Sequence, residues 1–222
     1  MKIPLGIETI VILLIDLGTD LAPAVSLAYE EPEDAIMENP PRSEHAHLVG
    51  VQMMALSYGI IGVFETFAAF FAFLYVFADY GFTIHDLVGA SLEYRLKYAD
   101  MHSARQGWFE RQCRENQWYQ QHGSRWGDGN CQQDYQTFRI EVLGEAQGAF
   151  LVSVVWAQIA NILVRKTQIA SIFTFKRLFD NRMMLYSIAF EILLIIMIVH
   201  VPGLNTVFLR AAPSSHAAAS AV

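Results

Sequence analysis

Charge is scarce in this sequence, and positive charge is the scarcer sign. Only 17% of the 222 residues are charged, with 15 Lys and Arg against 22 Asp and Glu and a formal net charge of −7. A nucleic-acid partner requires a concentrated basic surface that displaces condensed counterions, and none is present. Cysteine is rarer still. Cys113 and Cys131 are the only two, and their spacing leaves a mutual bridge and two free thiols equally open. Internal repeats, a GxxxxGKS phosphate loop and a nucleophile elbow are all missing, which removes the common sequence signals for nucleotide binding and acyl transfer.

What the sequence does have is apolar residues, 54% of the total, gathered into blocks instead of spread at amphipathic spacing. A helix crossing a bilayer needs roughly 20 mostly apolar residues. Four stretches qualify, near 3–29, 53–77, 146–164 and 183–201. The first is too long for a signal peptide and carries two internal carboxylates without a small-residue cleavage site. The expected fold is all-α, an integral membrane helical bundle of about four transmembrane helices.

Orientation follows from where the few cations fall. RKTQIASIFTFKRLFDNR, between the third and fourth spans, holds Arg165, Lys166, Lys176, Arg177 and Arg182 against Asp180, so the positive-inside rule makes it cytoplasmic. Alternate crossings then put residues 30–52 inside and a long loop, 79–144, outside, with both termini outside. The two cysteines lie on the side where disulfides persist. The outer segment is polar and aromatic, suited to covering the membrane face or meeting a partner, and its Trp108, Trp118 and Trp126 are expected at the lipid interface. The alanine- and serine-rich tail, 206–222, reads as disordered.

The first span carries the chemistry. Asp16 and Asp20 are four residues apart, which puts both carboxylates on one helical face within an apolar segment. An unpaired carboxylate at that depth costs at least a few kcal/mol, so the pair must be protonated, matched by a cation or hydrated. Pro23 has no amide hydrogen to give the carbonyl of Thr19, and Gly18 adds backbone freedom. Carboxylates and unwound carbonyl oxygens thereby converge, a donor set suited to alkali or alkaline-earth ions. A kinked packing helix whose aspartates bond to neighbouring helices is the alternative.

The other spans offer partners for that site. Glu65 is the only charge between Leu48 and Asp79, Gln158 and Asn161 share a face at i, i+3, and Glu191 sits within the fourth span. For Gln158 and Asn161, hydrogen bonding between helices competes with ion contact. Gly59, Gly62 and the Gly144/Gly148 pair are expected to permit close helix packing.

IDLGTDLAPAVSLAYE resembles the sixth membrane helix of the P-type sodium, potassium and proton, potassium ATPases. EDAIMENPPR is similar to the cytoplasmic loop that follows it. SYGIIGVFE with ADYGF, SVVWAQIANILVRKTQ, and NRMMLYSIAFE with HVPGL look like the seventh, eighth and ninth helices in order, so the likeness covers most of residues 3–205. It implies that Asp16 and Asp20 bind the transported sodium, potassium or proton at mid-membrane. The family's eighth helix pairs a Gln with a cation-binding Asp. Gln158 matches and Asn161 replaces the acid, which removes a charge from a third sodium site. Glu191 falls at or beside an acidic position of the ninth helix, and Glu65 lies where the sodium pump has Gln.

The resemblance also sets expectations about what accompanies the chain. The outer loop looks longer than the family's and lacks its Ser-Tyr-Gly-Gln-Gln-Trp contact with an accessory beta subunit, so pairing with a beta-type subunit is left open. Where a tenth helix would follow HVPGLNTVFLR, the sequence turns to alanine and serine. The phosphorylated motif Asp-Lys-Thr-Gly does not occur, so the chain alone is not an enzyme and needs no cofactor of its own. ATP and Mg2+ belong to a full-length parent. The resulting expectation is a piece of a monovalent cation pump in the plasma membrane, whose partners are the lipid bilayer, the ions and the remainder of the pump. A standalone regulator of complete pumps and a passive cation pathway are the rival readings.

Overall fold

The computed structural model describes residues 4–7, 9–29, 50–88, 103–123, 126, 131, 133–165, 181–201 and 203–204. The acidic and basic loops used for orientation, and the tail, lie largely or wholly outside the described residues. Among the described residues four helices are long and apolar enough to cross a membrane: α1 (Thr9–Tyr29), α2 (Val51–Asp79), α6 (Gln133–Arg165) and α7 (Arg182–His200). Between α2 and α6 lie α3 (Ile84–Leu87), α4 (Ser103–Glu115) and α5 (Gln117–His122). No strand occurs among the described residues.

The apolar blocks form helices because only an α-helix satisfies every backbone group within its own segment in lipid. Their outward faces are apolar too. On α2, Phe64, Phe67, Phe71 and Tyr75 follow helical spacing and are all exposed, a stripe that water would not tolerate and lipid does. Helix α6 begins at Gln133, well before the apolar block at Ala146. Its early turns bury Tyr135, Phe138, Arg139 and Val142, the i, i+3, i+4, i+7 pattern of an amphipathic helix. A hydropathy window cannot see that pattern.

The described chain divides into two compact units. One comprises residues 1–11, 69–151 and 197–222, and the other residues 12–68 and 152–196.

The first unit is built on aromatic rings. Phe138 of α6 stacks on Trp118 at 5.4 Å and 12° and on Phe82 at 5.8 Å and 20°. Tyr80, Tyr119, Tyr135 and Trp126 close around it. The indole of Trp126 donates to Glu141, and Tyr80 donates to Glu145 at 2.5 Å. Trp118 and Trp126 are both half-buried, and their rings have an aromatic neighbour on α6 in Phe138. Trp108 lies 5.7 Å from the guanidinium of buried Arg139, a cation–π contact.

A disulfide joins Cys113 to Cys131, with Cα atoms 5.6 Å apart. Asn116 fastens the end of α2 to the start of α5. It accepts from the Tyr119 amide at 2.9 Å and donates to the Tyr80 carbonyl at 3.2 Å. Gly81, at φ 77°, makes the turn beside it. A side chain there would be strained, and its Cβ would press on Asn116 Oδ1 at 3.3 Å.

In the second unit α1 and α7 run antiparallel and are joined by polar contacts. Asn181 donates to the Ser26 carbonyl at 2.9 Å and caps α7 by accepting from the Met184 amide at 3.1 Å. Ser187 Oγ lies 3.3 Å from the Ala22 carbonyl. Farther along, Leu194 comes within 3.6 Å of where a Cβ on Gly18 would stand. A Cβ on Gly18 would meet Leu194 in ordinary van der Waals contact. On Gly59 an added Cβ would meet nothing within 4 Å, and Gly62 faces only the Ser57 carbonyl of its own helix. Gly144 and Gly148 are both buried in α6.

Candidate cation site

Six of the seven candidate residues come from the three helices α1, α6 and α7, and all seven lie in the second unit. In α1 the stretch Ile15–Asp20 is wound as a π-helix, and α-helical geometry resumes at Leu21. Pro23 cannot donate to the Thr19 carbonyl, and the π-wound stretch lies just before it in sequence. The departure from α-geometry is thus a π-wound turn that contains Gly18 and Thr19.

Asp16 and Asp20 bound this π-segment. Asp16 is exposed on the face of α1, Asp20 is half-buried, and the two act on one another electrostatically. Between them Thr19 is buried. What Thr19 brings is its hydroxyl, which donates to the Ile15 carbonyl at 2.7 Å and lies 3.3 Å from Gln158 Oε1 of α6. Asn161 lies on the same side of α6 as Gln158, one turn along, and is partly buried.

Glu191 completes the arrangement from α7. It is 0% exposed, and neither carboxylate oxygen has a hydrogen-bond partner. The contacts of Ser187 with Ala22 and of Leu194 with Gly18 put Glu191 level with residues 18–22 of α1, and the charge acting on it is that of Asp20. Glu65 is half-buried in the first α-helical turn of Gly62–Asp79. It belongs to the same unit but comes from a fourth helix.

Among the described residues no three His, Cys, Asp or Glu side chains gather closely enough to hold a metal by themselves. An ion here would have to combine carboxylates with neutral oxygens, Thr19 Oγ1 and Gln158 Oε1 being available. Such a mixed, low-charge set suits a weakly held cation that must also leave.

Sequence reasoning missed the contacts that hold this site together. Asn181 and Ser187 precede Glu191 on α7, Ser187 by four residues, so a polar stripe on that helix was the available signal.

Comparison with known proteins bears on the same segment. The family profile described as "Cation transporting ATPase, C-terminus" matches residues 4–219. The chain is 33% identical over 206 residues to sodium/potassium-transporting ATPase subunit alpha-4 of Homo sapiens, covering 92% of this chain and 18% of that one. It is 33% identical to the subunit alpha of Hydra vulgaris, over 92% of this chain and 17% of that one. The alpha-B subunit of Artemia franciscana is 32% identical over 91% of this chain and 18% of its own length. The chain therefore spans less than a fifth of the curated relatives it matches.

Proposed function

Because this chain belongs to the cation-transporting ATPases, matching their C-terminal region along almost its whole length, we propose that it supplies part of the intramembrane site at which such a pump holds a monovalent cation. Asp16 and Asp20 provide charge. Thr19 and Gln158 provide neutral oxygens, and Glu191 closes the site from α7. Asn161 tunes it by offering an amide on the same face as Gln158, and Glu65 adds a more distant negative charge.

One observation carries this reading: Glu191 is sealed from solvent with both oxygens unpaired, within electrostatic reach of Asp20. A purely structural carboxylate would be matched by donors, because an unmatched buried charge is expensive. A site that alternately takes up a cation or proton and gives it away must instead leave such oxygens available. The small count of carboxylates favours sodium, potassium or a proton over a divalent ion.

The intact pump is proposed to exchange these ions across the plasma membrane. Hydrolysis of ATP with Mg2+ would be performed by parts of it that contain Asp-Lys-Thr-Gly, a sequence these 222 residues lack. Pairing with a beta-type subunit would engage the outer segment. The test is a pump containing this segment with Asp16→Asn and Asp20→Asn together. Cation-stimulated dephosphorylation should weaken, and an unchanged ion dependence would overturn the assignment.

A further inference from the structure

We propose that Gln147 is a positioning residue that latches the N-terminal entrance of α1, the helix bearing Asp16 and Asp20. Its amide nitrogen donates to the carbonyl of Leu5 at 2.9 Å, across 142 residues of sequence. Residues 4–7 are not helical, so that carbonyl lies ahead of the helix it leads into. Where water is scarce such a carbonyl must find a partner, and α6 supplies it.

A second contact lies one turn along α6. Gly6 approaches Phe150 so closely that a Cβ on it would stand 3.3 Å from the ring. The entrance is therefore gripped at two adjoining points, one polar and one steric, within the first unit.

Gln147 is used at one end only. It is 4% exposed, and its Oε1 has no hydrogen-bond partner. A permanent clamp would not leave a sealed acceptor idle, since the desolvation of that oxygen goes uncompensated. The amides at the start of a helix lack intrahelical acceptors, so the first turn of α1 carries donors that can reach Oε1 when the entrance shifts. The latch thus has two seats: Leu5 carbonyl to Nε2 as seen here, and a first-turn amide to Oε1 when α1 moves. This goes beyond the cation-site reading and is tested without any ion.

The full chain in membranes, with Ile7→Cys as reporter, gives the test. Cys113 and Cys131 are bridged, so a membrane-impermeant maleimide reads the new thiol. Rates are normalised to Ile84→Cys, a 63% exposed position in the same unit, which cancels thiol titration, and protease resistance of that unit reports that it is folded. Gln147→Met keeps length and removes both hydrogen-bonding ends, and should raise labelling at position 7 by up to about tenfold, the loss of one part-buried hydrogen bond. Gln147→Glu should label slowly at acid pH, where the protonated carboxyl donates to Leu5, and rapidly once ionised. A rate unchanged in the Met variant overturns the latch. If that variant does not fold, a flat pH profile in the Glu variant overturns it equally.

Discussion

Thr19 of α1 and Gln158 of α6 are 139 residues apart in sequence and 3.3 Å apart in space. The same Thr19 hydroxyl donates to the Ile15 carbonyl, so one side chain joins the winding of the carboxylate segment to a neighbouring helix. A substitution at position 19 therefore acts on site geometry and helix packing together.

Thr19→Val preserves shape and removes the hydroxyl that donates to the Ile15 carbonyl and faces the part-buried Oε1 of Gln158. The expected loss is about 1–2 kcal/mol of stability, read from thermal unfolding in detergent, with Thr19→Ser recovering most of it. A Val variant as stable as the parent would show that the contact is incidental.

The Cys113–Cys131 bridge closes an 18-residue separation, for which chain entropy gives about 3 kcal/mol of stabilisation. No thiol should react before reduction and two should react after it. Cys113→Ser should expose the 103–131 region to protease while the membrane helices remain protected. Equal protease resistance with and without the bridge would show that the aromatic core alone holds that region.

Two tyrosines of the first unit should resist ionisation. Burial, then the hydrogen bond and charge of Glu145, then the charges of Glu141 and Asp79, hold the Tyr80 phenol above the ordinary tyrosine range. Burial and then Asp134 push Tyr119 upward as well. Their folded values exceed the unfolded value near 10, so the stabilising contribution is full below about pH 10 and falls as pH rises beyond it. Tyrosinate absorbance of the folded chain should lag behind that of the denatured chain in this window. Superimposable titration curves would contradict the packing described for these rings.

Much of the membrane architecture was legible from apolar blocks alone, because lipid admits few alternatives. The block at 183–201 corresponds to Arg182–His200 almost residue for residue. The apolar block at 146–164 lies within helix α6, whose earlier turns from Gln133 bury one face among polar neighbours, and hydropathy, which averages over faces, does not mark them. The ring contacts of Trp118 and Trp126 with Phe138 were not legible for a related reason: an amphipathic ring suits a lipid interface and a folded cap equally well. Pro23 marked where α1 departs from α-geometry but not the π-winding that results, since that choice depends on how neighbouring helices take up the slack. The carboxylates of the site could be named from their depth in apolar sequence. The isolation of Glu191 could not, because burial without a partner is a property of packing.

Glu191→Gln removes the buried charge and keeps the shape. Without added cation the variant should be at least as stable as the parent, since an unpaired buried carboxylate is a liability. Stabilisation by added potassium or sodium should shrink. A variant that is markedly less stable in choline buffer, yet retains full cation stabilisation, would make Glu191 a structural residue.

The most direct test of the account is equilibrium binding of rubidium, as a potassium congener, to a pump containing this segment, compared between the parent and the Asp16→Asn, Asp20→Asn double variant. Thermal unfolding and the intact Cys113–Cys131 bridge would confirm folding. The prediction is that bound rubidium falls by at least about tenfold at a fixed free concentration, the equivalent of about 1.4 kcal/mol. Undiminished rubidium binding by a folded double variant would contradict the claim that these two carboxylates hold the transported ion.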